Sequence, residues 1–99
     1  MKDFLYVMML EKNKNYNKIT KKIIERHVEN ISKLDDEGKL ELCGPFKGYP
    51  NMAGMFIFKT DTYEEADKLC KQEPLVVEGF AKYKLYSLQV ANKENNYLL

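Results

Sequence analysis

The chain has no tryptophan, one histidine, two cysteines and three prolines in its 99 residues. Each scarcity excludes something. A single histidine rules out a multi-histidine metal centre within one chain. The two cysteines, Cys43 and Cys70, fit no metal-ligand spacing and are too few for a disulfide framework, so a reduced, cytoplasmic protein is expected. Charge of one sign is not in excess either: 16 Lys and Arg meet 15 Asp and Glu, for a net charge of +1. That balance gives no electrostatic footprint for nucleic acid or for an anionic membrane surface. No apolar run approaches the roughly 20 residues that span a bilayer. The run Phe4 to Leu10 leads directly into charge and lacks a small-residue cleavage site, so it reads as a strand rather than a signal peptide.

What is present is enough for one packed domain. Apolar residues make up 44% of the chain and aromatics 12%, which argues against global disorder. A domain of this length buries only about two-thirds of its unfolded surface, so association with a second copy is a natural source of extra stability.

The hydrophobic periods divide the chain into elements. Phe4 to Leu10 is apolar on both faces, as a central strand would be. Glu11 to Lys18 is rich in Asn and Lys and reads as a solvated loop. From Thr20 to Glu37 the apolar positions Ile23, Ile24, His27, Val28, Ile31 and Leu34 recur in steps of three and four. This spacing predicts an amphipathic helix, capped by Thr20 and closed by Gly38. Leu40 to Cys43 alternates as a strand, stopped by Gly44-Pro45. Phe46 to Gly54 reads as a loop, and Met55 to Phe58 as a third strand. Thr62-Tyr63-Glu64-Glu65 has capping-box spacing and opens a second helix, with Ala66, Leu69 and Cys70 facing inward. That helix must end before Pro74. Leu75 to Gly79 is a short apolar turn, and Phe80 to Val90 a fourth strand. The domain is expected over residues 1–91, followed by a tail over 92–99.

The order βαββαβ predicts a ferredoxin-like α+β fold: a four-stranded antiparallel sheet, the first and third strands central, with two helices on one face. The other face, with alternate residues Phe4, Tyr6, Met8, Met55 or Phe56, and Phe58, would be bare and apolar. A second copy packed sheet against sheet covers it economically, giving a homodimer in the form of a dimeric α/β barrel.

Several residues stand out for chemistry. His27 is the only histidine and lies on the apolar stripe of the first helix. It is either a core histidine bonded to a backbone carbonyl or a general acid/base, since imidazole titrates near pH 6.5. Tyr49, in the loop Lys47 to Met52, can donate to a substrate oxygen or be an idle surface ring. Gly44 and Pro45 shape a pocket floor. Cys43 has no base or helix terminus to activate it and reads as packing. The lysines between Lys12 and Lys22 read as a solvated face.

The ordered set Arg26-His27, Gly38-Lys39-Leu40, Cys43-Gly44-Pro45-Phe46, Gly54 to Phe58, Asp61 to Ala66 and Glu73 to Gly79 resembles the YCII-related domain family. The resemblance runs from about residue 3 to 91. It implies the dimeric α/β-barrel fold and a cleft between helices and sheet near the subunit interface. It also implies a catalytic pair formed by His27 and the acid before proline, Glu73, where the family more often has Asp. An Arg often found one turn before the His is replaced by Ile24. Glu73 can alternatively just end the second helix with its carboxylate in water. The implied function is an enzyme that needs no cofactor and moves a proton on a small organic molecule, in isomerase, lyase or hydrolase fashion. His27 would be the acid/base and Glu73 its orienter. The alternatives are a non-catalytic module that binds a small ligand or supports a partner domain, and a purely structural dimer.

Overall fold

In a computed structural model, residues 2–99 are described; Met1, the first residue of the expected domain, lies outside them. The elements are β1 (Phe4–Lys12), α1 (Lys21–Asp36), β2 (Leu40–Pro45), β3 (Met52–Phe58), α2 (Tyr63–Gln72), the single turn α3 (Pro74–Val77) and β4 (Ala81–Gln89), with 3-10 turns at Tyr16–Lys18 and Lys93–Leu98. The four strands form one antiparallel sheet in the order β2-β3-β1-β4. The two strands that are apolar on both faces therefore occupy its centre, as their composition requires. Among the described residues no helix is long and apolar enough to cross a membrane.

Local chemistry sets the helix ends. The Thr20 hydroxyl accepts the Ile23 N–H at 3.3 Å at the start of α1, and Gly38, with φ of +71°, takes the chain out of it. Thr62 caps α2 in the same way, accepting from the Glu65 N–H at 3.1 Å. Tyr83 on β4 donates to Asp67 on α2 at 2.6 Å, which fastens that helix to the sheet. Leu34 of α1, Ala66 and Cys70 of α2, and Leu75 of α3 meet Tyr6, Met8, Leu10, Phe56 and Phe58 in one core.

Three expectations are corrected. The strands run further than their apolar runs. β1 extends to Lys12, β3 begins at Met52, and β2 takes in Gly44 and Pro45, with Pro45 paired to Gly54. Pro45 is tolerated because β2 is an edge strand. The close approach of β2 and β3 depends on Gly54: a Cβ there would lie 2.5 Å from the Gly44 carbonyl oxygen. Second, the phase of the uncovered face is the reverse of that expected. Tyr6, Met8, Phe56 and Phe58 lie beneath the helices, and the uncovered side carries Leu5, Val7, Met9, Leu42, Ile57, Tyr86 and Leu88, together with the expected Met55. Period-two alternation cannot choose a face when both parities are apolar. Third, Ile24 and Val28 of α1 are exposed at 42% and 55%, so the buried stripe of that helix is narrower than its apolar spacing.

Two measurements check this packing. Gly54→Ala should destabilise the domain by about 1–3 kcal/mol in denaturant unfolding, because backbone must move. Gly44→Ala, whose Cβ meets nothing within 4 Å, should stay within about 0.5 kcal/mol of wild type. The second concerns alkali. Burial, helped by Asp67, pushes the Cys70 thiol from its ordinary 9.0 up to about 12. A group titrating higher when folded contributes fully below its unfolded value and loses that contribution as pH rises towards the folded one. Burial and the bond to Asp67 also raise the Tyr83 hydroxyl. Thermal stability should therefore decline from about pH 9 upwards, and the decline should be shallower in Cys70→Ala.

Candidate active site

The site is built where α2 ends and α3 begins, across from the unbroken α1. Pro74 disfavours helical backbone at the residue before it, so α2 stops and Glu73 adopts φ −65°, ψ 124°. The same proline suits the first position of a new helical turn, and α3 begins there with Glu73 as its N-cap. Glu73 Oε2 accepts the Leu75 N–H at 2.7 Å. Its other oxygen, Oε1, meets Nδ1 of His27, projecting from α1. Glu73 is 1% exposed, and the His27 side chain is 19% exposed. Neither bland alternative holds in this arrangement: Glu73 is not in water, and His27 is tied to a carboxylate rather than a backbone carbonyl. An ionised carboxylate only accepts hydrogen bonds, so with a neutral ring the hydrogen belongs on Nδ1 and Nε2 keeps its lone pair.

His27 lies at the wall of a cavity of about 290 Å³ between α1, α3 and the β2–β3 end of the sheet. Tyr16, Ile31, Phe56 and Leu75 line it, together with Cys43, Gly44, Pro45 and Gly54. The Phe56 ring stands edge-on to the imidazole, with centroids 6.1 Å apart. Among the described residues no lysine, arginine or carboxylate lines the cavity, so this lining is neutral and mostly apolar. Burial, and after it the charge of Asp35, raises the Cys43 thiol, which keeps it protonated and poorly nucleophilic. Among the described residues no group of three or more His, Cys, Asp or Glu could hold a metal ion. A wider hollow of about 760 Å³ on the uncovered side of the sheet is edged by Lys2, Leu5, Glu41, Lys59 and Val90. Among the described residues that edge it, the ionisable ones, Lys2, Glu41 and Lys59, are all exposed or intermediate, none buried.

Of the residues singled out in the sequence, His27, Glu73, Gly44 and Pro45 come together here. Tyr49 does not: its ring packs edge-on against Phe46, 6.1 Å away, beside Met9 and Met52. Tyr49 is not among the described residues that line the His27 cavity. Arg26 pairs with Glu78 at 2.9 Å and takes no part in the cavity lining. The loop aromatic that does reach the cavity is Tyr16, in a segment whose composition reads as a solvated loop. The signal for it was slight: it is the one aromatic between Glu11 and Lys18.

The fold and site together define a ferredoxin-like α+β domain with a buried His–Glu pair opening on an apolar cavity. The family model of the YCII-related domain matches residues 4–89, and the chain belongs to that family. It is 26% identical over 76 residues to the uncharacterized protein YjpA of Bacillus subtilis strain 168, covering 77% of this chain and 84% of that protein. Its fold is similar to that of 5-chloro-2-hydroxyhydroquinone dehydrochlorinase (TftG) from Burkholderia phenoliruptrix AC1100, solved in complex with 2,5-dihydroxybenzoquinone. That match has a TM-score of 0.65 at 15% identity and covers 93% of this chain and 99% of the other.

The double use of Glu73 is open to test by unfolding. Glu73→Ala removes a helix cap and leaves a buried imidazole N–H unpaired, and should cost about 2–4 kcal/mol. Glu73→Gln keeps an oxygen able to cap Leu75 and should cost less than half as much. Equal losses would show that the cap contributes nothing.

Proposed function

We propose that the protein is a small-molecule enzyme in which His27 transfers a proton at Nε2 while Glu73 fixes the ring through Nδ1. The observation that carries this reading is the buried carboxylate bonded to the only histidine at the wall of an apolar cavity. A carboxylate behind the imidazole sets the tautomer and stabilises the imidazolium formed when Nε2 takes a proton. An apolar surround strengthens that electrostatic help by excluding water. The chemistry this pair supplies is removal of a proton from one atom of a substrate and its return to another, or to a leaving group. No cofactor is needed for such a step.

Cavity size and lining suggest the substrate. An apolar cavity of about 150 Å³ holds benzene, so 290 Å³ suits a single substituted ring. The absence of cationic lining favours a neutral compound over a carboxylate or a phosphate ester. A neutral ring bearing hydroxyl or keto groups fits both conditions, and a ring of that kind is what the dehydrochlorinase of similar fold acts on.

The same reading includes a homodimer. Leu42, Tyr86 and Leu88 are 50%, 52% and 47% exposed on the side of the sheet away from the helices, and the central-strand residues between them are half-buried. A contiguous apolar face of this kind is an interface or an aggregation hazard, and a second copy satisfies it with a closed two-fold contact.

Two assays test the catalytic reading: chloride release from 5-chloro-2-hydroxyhydroquinone, and deuterium uptake from D2O at the α-carbon of cyclohexanone. Wild-type protein should accelerate at least one. His27→Ala should lower that rate by on the order of 10²–10⁴; it should also melt at a lower temperature, because the buried Glu73 carboxylate loses a partner, so the rates are compared where both proteins are folded. Acceleration that survives His27→Ala overturns the role of the residue. Binding of hydroquinone without turnover in either assay would favour a ligand-binding module. Sedimentation tests the dimer: Tyr86→Asp, at a surface position, should yield a folded monomer.

A further inference from the structure

We propose that Tyr16 is the gate of the His27 cavity and that Asn13 is the latch that holds it shut. The proposal rests on the reading of that cavity as the working site, and it adds how a ligand reaches it. Tyr16 sits on the 3-10 turn Tyr16–Lys18, in a segment otherwise composed of Lys, Asn and Glu. Its one apolar companion is Ile19, which also packs against the core. The Tyr16 side chain is half-buried and lines the cavity together with His27. Something must hold it there.

Asn13 does so with every polar group it has. Its carbonyl accepts the Tyr16 N–H at 3.1 Å, and its side-chain oxygen accepts the Asn15 N–H at 2.8 Å. These two bonds shape the turn that presents Tyr16. Its side-chain nitrogen donates to the Gly79 carbonyl at 2.7 Å, and its backbone N–H reaches the Phe80 carbonyl at 3.4 Å. These two fasten the turn to the corner that follows α3, the element whose cap is Glu73. From the other side, the Lys12 ammonium lies 5.1 Å from the Tyr16 ring centroid and donates to the Tyr49 carbonyl at 3.4 Å.

The segment also has natural hinges. Pairing of β1 with β4 ends at Lys12 opposite Ala81, and α1 is independently capped by Thr20. Residues 13–18 can therefore swing between Lys12 and the core-packed Ile19 without disturbing sheet or helix. Of the bonds that resist, the one from the Asn13 side chain to Gly79 is exposed to solvent, so water can replace it. Breaking it releases the turn, moves Tyr16 and opens the cavity.

Cys43 reports on the opening, because it lines the cavity, whereas Cys70 lies buried in the core. The experiment measures labelling of each thiol by methyl methanethiosulfonate, followed peptide by peptide in the full chain by mass spectrometry. Asn13→Asp keeps the acceptor for Asn15 and loses the donor to Gly79, and should speed labelling of Cys43 roughly five- to tenfold, the effect of losing one neutral hydrogen bond. Asn13→Ala loses both side-chain bonds and should speed it at least as much. Tyr16→Ala should label faster still, and adding Asn13→Ala to it should change nothing further. Cys70 labelling should stay constant throughout, which excludes general loosening. The proposal is overturned if Asn13 substitutions leave Cys43 labelling unchanged, if both thiols accelerate together, or if wild-type Cys43 already reacts like an unfolded thiol. If instead hydroquinone fails to shift the His27 ring resonances while labelling responds as expected, the ligand reading falls and the gate stands.

Discussion

The carboxylate of Glu73 is the point on which this structure turns. One oxygen closes the start of α3 and the other holds the imidazole of His27. A fully buried carboxylate is costly unless its oxygens are satisfied. Here the protein satisfies them with one backbone donor and one side chain from a helix 46 residues away in the sequence. Removing the proline that breaks α2 would lose the cap geometry, and losing the cap would leave the pair without a fixed acid. The local helix break and the candidate chemistry are thus a single feature.

Around that point the molecule is arranged in two layers with different tasks. The helix side of the sheet is a closed core in which Phe56 serves twice, stacking on Phe58 and standing edge-on to His27. The opposite side is apolar and unfilled within one chain. A domain of this size has little stability in reserve. Placing the cavity on the packed side keeps the imidazole in mostly apolar surroundings. Gly54 connects the two tasks: its missing side chain lets β2 and β3 approach closely, and that approach shapes the cavity end near Gly44 and Pro45.

Much of the fold was legible in the sequence because its signals are local. Thr20 and Thr62 sit where caps are needed, Gly38 stands where a left-handed residue is needed, and Pro74 can only end one helix and begin another. His27 was legible as a candidate because it is unique and shares a stripe with Ile23 and Ile31. Glu73 is legible only through the family resemblance, since on pattern alone a glutamate before proline is ordinary. The extra length of β1 and β3 was hidden, because Glu11, Lys12 and Met52-Ala53-Gly54 carry weak strand preference and are held in place by pairing across the sheet.

By itself, then, the sequence determined the order of the elements, which strands are central, where the helices begin and end, and that one histidine would face an apolar interior. Those outcomes follow from periodicity, capping and backbone restriction within a few residues. Tertiary structure alone decided which face of the sheet the helices cover, because both parities of the central strands are apolar. It decided that Tyr16 rather than Tyr49 reaches the cavity, because an aromatic in a loop goes where its backbone is anchored, and Asn13 anchors it at Gly79 and Phe80. It also brought His27 and Glu73 together, since distant side chains meet only when the elements that carry them have packed.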